Sequence, residues 1–128
     1  MILGIGTDMI EVERLMSSIN KEKGFRELVF SSKEIQYCES RANKFEHYAA
    51  RFAAKEAFFK ALGTGWRNDT AFNEIEILPD QNGKPLLRLL GLTSQTLSEL
   101  QRSKIMVSLS HLKSVASAVV VIEQLEVK

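Results

Sequence analysis

The chain has one cysteine, Cys38, so it can form neither an intramolecular disulfide nor a cysteine-cluster zinc site, and it suits a reducing compartment. Long apolar runs are missing too. The longest, Ala118–Ile122, falls far short of the roughly 20 residues that a membrane-spanning helix needs. The opening MILGIGTDMIE lacks the basic start and apolar stretch of a signal peptide, and a cytoplasmic protein is the expectation. Neither sign of charge is in excess: 17 Lys and Arg stand against 16 Asp and Glu, a formal net charge of +1. Any charge-driven function must therefore come from local clustering. Internal repeats, low-complexity stretches and dividing linkers are absent as well. With 45% hydrophobic and 26% charged residues, the composition predicts one soluble domain, residues 1–128, around a single core.

Several signatures of phosphate binding and nucleophilic catalysis also fail. Gly4-Ile5-Gly6 continues as Thr-Asp-Met, with no third glycine and no helix directly after it, which excludes the dinucleotide fingerprint. Gly63-Thr64-Gly65 follows a helical stretch instead of opening one, so it is no Walker loop. There is no Gly-x-Ser-x-Gly elbow. His47 and His111 are far apart and share no zinc-ligand spacing, and His111 reads as a solvated or hydrogen-bonded histidine at a strand end. VSLSH (107–111) sets hydroxyls beside it, but alternation along a strand turns them to opposite faces, which argues against a triad.

What is present is a clear succession of patterns. Residues 2–12 alternate as a strand, with Ile2, Gly4, Gly6, Asp8, Ile10 and Val12 on one face. Residues 13–23 read as a short helix ended by Gly24, and another helix opens at Ser32-Lys33-Glu34, capped by Ser31 or Ser32. A long helix runs from near Phe45 to Gly63, a residue suited to the left-handed position after a helix. Residues 72–78 and 86–90 read as paired strands across DQNGKP (80–85), in which Asn82-Gly83 is a strong hairpin signal. A short helix over 94–100 precedes a second hairpin, 104–111 with 115–123. The order β-α-α-α-β-β-α-β-β predicts an α+β fold, with antiparallel strands and hairpins packed around one long central helix.

That helix, AARFAAKEAFFKALGTG (49–65), is apolar nearly all round, as a core helix is, yet it carries Arg51, Lys55, Glu56 and Lys60. Ionised groups there need a partner, a ligand or a cleft. Arg51 and Lys55, four residues apart, repel unless an anion lies between them. Glu56 either pairs with Lys60 one turn on or takes part in chemistry. Asp8 either satisfies backbone amides near a strand end or supplies a second carboxylate; the glycines at 4 and 6 would let a helix approach closely. Two carboxylates on apolar faces, near a patch of three cations, suit a divalent metal bridging to phosphate. Magnesium is often held by one or two carboxylates, with substrate oxygens and water completing its shell.

Taken together, GIGTDMIEVER (4–14), RFAAKEAFFKALGTG (51–65), DQNGKP (80–85) and VSLSH (107–111) resemble the holo-acyl-carrier-protein synthase family, small bacterial 4′-phosphopantetheinyl transferases. The blocks stand in the family's order, and the likeness runs from Ile2 to about Glu123. Phe72 stands where the family often has tryptophan, and Leu112 where a polar residue commonly follows the histidine.

The resemblance implies transfer of 4′-phosphopantetheine from coenzyme A to a serine of apo-acyl carrier protein. The reaction would use Mg2+, release adenosine 3′,5′-bisphosphate and support fatty acid biosynthesis. By motif position it implies Asp8 and Glu56 as magnesium ligands and Lys60 as a pyrophosphate contact that supports proton transfer. It places Arg51, Lys55, Lys60, Gly63, Asn82, Pro85 and His111 in segments lining the coenzyme A site, and it implies a homotrimer with active sites between subunits. An acidic carrier calls for a cationic docking face. Arg14, Lys21, Lys23 and Arg26, with Phe25 as an apolar anchor, are the candidates; a solvated helix face is the alternative, partly supported by Glu11, Glu13, Glu22 and Glu27. No nucleic-acid or membrane partner is expected. A non-catalytic coenzyme A-binding module is the competing function, and the presence of both carboxylates argues against it.

Overall fold

A computed structural model describes residues 1–65 and 67–125. Strand β1 (Ile2–Glu11) runs into α1 (Val12–Lys21), followed by α2 (Phe25–Val29), α3 (Ser32–Glu39) and the long α4 (Lys44–Leu62). A 3₁₀ turn, Phe72–Glu74, leads into the hairpin of β2 (Ile75–Pro79) and β3 (Pro85–Leu89). Then come α5 (Gly91–Thr96), a second 3₁₀ turn (Ser98–Arg102), and the hairpin of β4 (Ser103–His111) and β5 (Val115–Gln124).

The expected α+β order is present, with local differences that have physical causes. Helix α2 is additional: Gly24, at φ 84°, turns the chain after α1, and FRELV then closes a single helical stretch. Strand β2 starts at Ile75, three residues later than its alternation predicted, because the preceding turn is held from outside. The carbonyl of Phe72 accepts from Lys55, and the carboxylate of Glu74 accepts from the backbone of Leu92 and Thr93. The same Glu74 contact starts α5 at Gly91 instead of Ser94. Ser31, not Ser32, caps α3, in a capping box with Glu34.

Strand β5 lies between β1 and β4, antiparallel to both. The register sets Gly4, Gly6, Asp8 and Ile10 opposite Ile122, Val120, Ala118 and Ala116. Ile105, Val107, Leu109 and His111 of β4 face the same four residues from the other side. This inner face receives α4. A Cβ at Gly4 or Gly6 would overlap the carbonyl oxygen of Ala61 or Ala57, so the glycines permit the approach and Ala53, Ala54 and Ala57 match them on the helix. Around the C-terminal half of α4, Phe58 and Phe59 pack with Ile75, Ile77, Leu97 and Val120. Around its N-terminal half, Tyr48 packs with Leu15, Phe30 and Cys38. The outer face of the sheet is left open, with Ile5 and Met9 at 65% and 68% exposure. Among the described residues, no helix is long and apolar enough to cross a membrane.

Candidate active site

Two elements bring the predicted carboxylates together. Asp8 lies on the inner face of β1, two residues beyond the glycine that admits α4, and Glu56 stands on α4 beside it. Both line a cleft of about 370 Å³ that Arg14, Phe25 and Phe52 also border. Lys60 does not pair with Glu56. Its Nζ donates instead to Asp8 Oδ1 at 3.1 Å and to the Thr7 carbonyl at 3.0 Å. Half-buried Glu56 has its pKa raised, first by burial and then by the negative charge of Asp8, with Lys60 opposing. The pair of carboxylates therefore calls for a further positive charge.

The three cations of α4 do not form one patch, which corrects the expectation that they do. Lys55 is a core residue: its Nζ lies 2.8 Å from Glu34 Oε1, and both side chains have no exposed surface. Its other hydrogens go to the carbonyls of Phe72, at 2.9 Å, and Ile75. With three donors used and no access to solvent, Lys55 lines neither the cleft of Asp8 and Glu56 nor that of Arg51 and His111, and the anion that its position required is Glu34. Burial pulls the Lys55 ammonium below its ordinary pKa, and Glu34 works against that pull. Glu34 also accepts from the backbone N–H of Ser31 and of Ile77, each at 2.9 Å, so one carboxylate ties α3, α4 and β2 together.

Arg51 lies about 140° around α4 from Glu56, at 100° per residue. It is buried, donating from Nε to the Ile77 carbonyl at 2.9 Å and lying 4.6 Å over the ring of Tyr37. It lines a second cleft of about 480 Å³ with His47, Lys84, Pro85 and His111. Asn82 stands in the adjoining turn, its N–H bonded to Asp80 Oδ1 at 2.8 Å. Gly63 ends α4 in the left-handed conformation, φ 79°, and is exposed.

The structure also joins residues that spacing kept apart. The rings of His47 and His111 are 5.2 Å apart, and His111 Nδ1 lies 2.9 Å from Glu46 Oε1. Burial and the charge of Arg51 push His47 down to about 4. Nothing in the sequence signals this pairing, which depends on the end of β4 meeting the start of α4.

Of the docking candidates, Arg14, Lys21 and Lys23 are exposed. Phe25 is half-buried against Phe52 and borders both the carboxylate cleft and an apolar one of about 510 Å³ lined by Leu28, Phe52, Glu56 and Phe72. Arg26 is engaged within the chain, at 3.2 Å from Glu27 and 3.3 Å from Glu39.

Among the described residues, no group of three or more His, Cys, Asp or Glu is assembled to hold a metal by itself. Asp8 and Glu56 fit the sparser arrangement, in which two carboxylates share the ion with phosphate oxygens and water.

Comparisons with known proteins bear on the family and the fold. The family model described as the 4′-phosphopantetheinyl transferase superfamily matches residues 4–120. The chain is 52% identical over 120 residues to the holo-[acyl-carrier-protein] synthase of Ruminiclostridium cellulolyticum, covering 92% of this chain and 90% of that one. It is similar to the crystal structure of holo-[acyl-carrier-protein] synthase from Neisseria meningitidis, with TM-score 0.86, 34% identity and coverage of 97% and 100%. The Bacillus anthracis holo-(acyl-carrier-protein) synthase, solved in complex with CoA (3′,5′-ADP), matches with TM-score 0.80, 35% identity and coverage of 97% and 98%.

Proposed function

The chain belongs to the 4′-phosphopantetheinyl transferase superfamily, and we propose that it moves the 4′-phosphopantetheine of coenzyme A onto a serine of an apo-acyl carrier protein. It would act as a cytoplasmic holo-acyl-carrier-protein synthase that supports fatty acid biosynthesis and releases adenosine 3′,5′-bisphosphate. The observation that carries this reading is the meeting of Asp8, Glu56 and Lys60 at one cleft.

Phosphoryl transfer asks a protein mainly for positioning and charge neutralisation. Asp8 and Glu56 are the residues that would hold Mg2+, which when bound neutralises charge building on the phosphate oxygens. Lys60 is 56% exposed on a flexible stem, so its ammonium can leave Asp8 for the pyrophosphate of an arriving coenzyme A. There it offsets charge on the leaving side. Phe25 and Phe52 wall the cleft and limit water at the reacting phosphorus. Arg14, exposed at the same cleft, is the cation best placed to meet an acidic carrier beside the acceptor serine.

The site of one chain would be completed by another. β1, with Asp8, and β4, with His111, are opposite edges of the sheet, so the Asp8–Glu56 cleft and the Arg51–His111 cleft lie apart on one chain. A single coenzyme A reaching both would bridge two chains, with Asp8, Glu56, Lys60 and Gly63 from one and Arg51, Asn82, Pro85 and His111 from its neighbour. The open face presented by Ile5, Met9, Val119 and Val121 offers the apolar surface that such a homotrimer would bury.

The test is direct. Incubated with apo-carrier protein, coenzyme A and magnesium, the protein should add one phosphopantetheine to the carrier, read by mass spectrometry. A carrier whose acceptor serine is replaced by alanine should gain nothing. An unmodified wild-type carrier would refute the assignment.

A further inference from the structure

Glu46, the third residue of α4, has no part in the reaction outlined above, yet its carboxylate meets the histidine of the second cleft. Glu46 Oε1 and His111 Nδ1 are 2.9 Å apart, and the two side chains are only 19% and 28% exposed. A carboxylate accepts and does not donate, so the proton in this bond sits on Nδ1. Nε2 is then the ring nitrogen left for the cleft, and among the described residues it has no protein partner. Arg51 and Lys84 line the same cleft. His47 supports the ring from the side at 5.2 Å, and with its pKa pushed down to about 4 it adds no competing charge. Ala116, opposite His111 in the register, leaves room for the imidazole on the inner face.

We propose that Glu46 is a positioning residue for ligand binding: by accepting the Nδ1–H hydrogen bond it fixes the plane of His111 and, in the neutral ring, its tautomer, so that the Nε2 edge is turned toward an anionic oxygen of coenzyme A. In the charged ring Nε2–H donates to that oxygen. Carboxylate, imidazolium and anion then stand in a row of alternating charge, and both hydrogen bonds of the ring are charge-assisted. The proposal rests on the assignment of His111 to the coenzyme A site, and it explains why an acidic residue lines up behind a cleft meant for an anion.

Steady-state kinetics of Glu46→Ala, Glu46→Gln, His111→Ala and the Glu46→Ala/His111→Ala double variant test it, together with ¹⁵N NMR of His111 in the ligand-free protein. Glu46→Ala should raise KM for coenzyme A about fivefold or more while kcat stays within about twofold, the loss of a binding contact and not of a step. Glu46→Gln, whose amide oxygen still accepts from Nδ1–H, should recover most of that loss. The double variant should be no worse than His111→Ala, because Glu46 acts through the ring. The spectra should show Nδ1 protonated in wild type and Glu46→Gln, and a shifted tautomer in Glu46→Ala. If His111→Ala raises KM and Glu46→Ala does not, the positioning role alone is overturned. If His111→Ala leaves KM unchanged, the coenzyme A assignment of His111 falls and takes the proposal with it. Equal effects of Gln and Ala at position 46 would also overturn it.

Discussion

Lys55 and Glu34 meet at 2.8 Å with no solvent at either side chain, and this pair, not a ligand, accounts for a lysine in the middle of an apolar helix. Taking one partner away leaves the other charged and buried without compensation. Lys55→Met should therefore cost about 3–5 kcal/mol of stability, measured by urea unfolding. The double variant Lys55→Met/Glu34→Leu should lose less than the sum of the single changes, since no charge is stranded. A single Lys55→Met variant of wild-type stability would show that the pair does not hold the helix in place.

His47 predicts an acid limb in the stability profile. Its pKa in the folded protein is about 4 against an ordinary 6.5, so between those values the unfolded chain binds more protons than the folded one. Stability then rises with pH across that window. The contribution is fully present above pH 6.5 and is lost as pH falls towards about 4. His47→Gln should flatten the fall in urea midpoint between those limits. An unchanged slope would mean that His47 titrates normally when folded.

The strands, the long helix and its end at Gly63 were legible because each announces itself locally, by alternation, by apolar periodicity or by a residue that tolerates positive φ. So was one half of the Glu34 story, in part: Ser31 or Ser32 marked a cap at the start of α3, while the box that Glu34 closes with Ser31 came from the structure. The other half was not. That the capping carboxylate also receives Lys55 depends on how α3 packs on α4, with the partners 21 positions apart in the chain. Asp8 and Glu56 stood out as isolated carboxylates on apolar faces, but the partner of Lys60 did not follow from helical spacing: Asp8 takes it from across the β1–α4 contact. The Glu46–His111 pair spans 65 residues and carried no local signal at all.

Asp8→Asn and Glu56→Gln keep shape and remove charge. Each should lower turnover about a hundredfold or more, the loss expected for a group that stabilises transition-state charge. Each should also weaken Mn2+ binding in calorimetry without coenzyme A. Stability separates this from unfolding: burial and Asp8 already favour the neutral form of Glu56, so metal-free Glu56→Gln should be at least as stable as wild type. Near-wild-type rates in both variants at limiting magnesium would remove the metal assignment.

The shared site makes the sharpest prediction. Asp8 and His111 lie on opposite edge strands, β1 and β4, so in the proposed trimer one coenzyme A takes its metal ligands from one chain and its His111 contact from the next. Asp8→Asn and His111→Ala then damage different halves of the same site. Each homotrimer should be impaired, the first in kcat and the second in KM for coenzyme A. When the two chains are unfolded together, mixed and reassembled, some interfaces will join the intact Asp8 of a His111→Ala chain to the intact His111 of an Asp8→Asn chain. With random mixing around a closed ring, about one quarter of the sites are whole in this way. Activity at low coenzyme A should therefore climb well above that of either parent, towards that fraction of wild type. A site contained within one chain gives no such recovery, since every chain in the mixture carries a defect. Sedimentation should show trimers throughout, and a fully active monomer would refute the shared site outright.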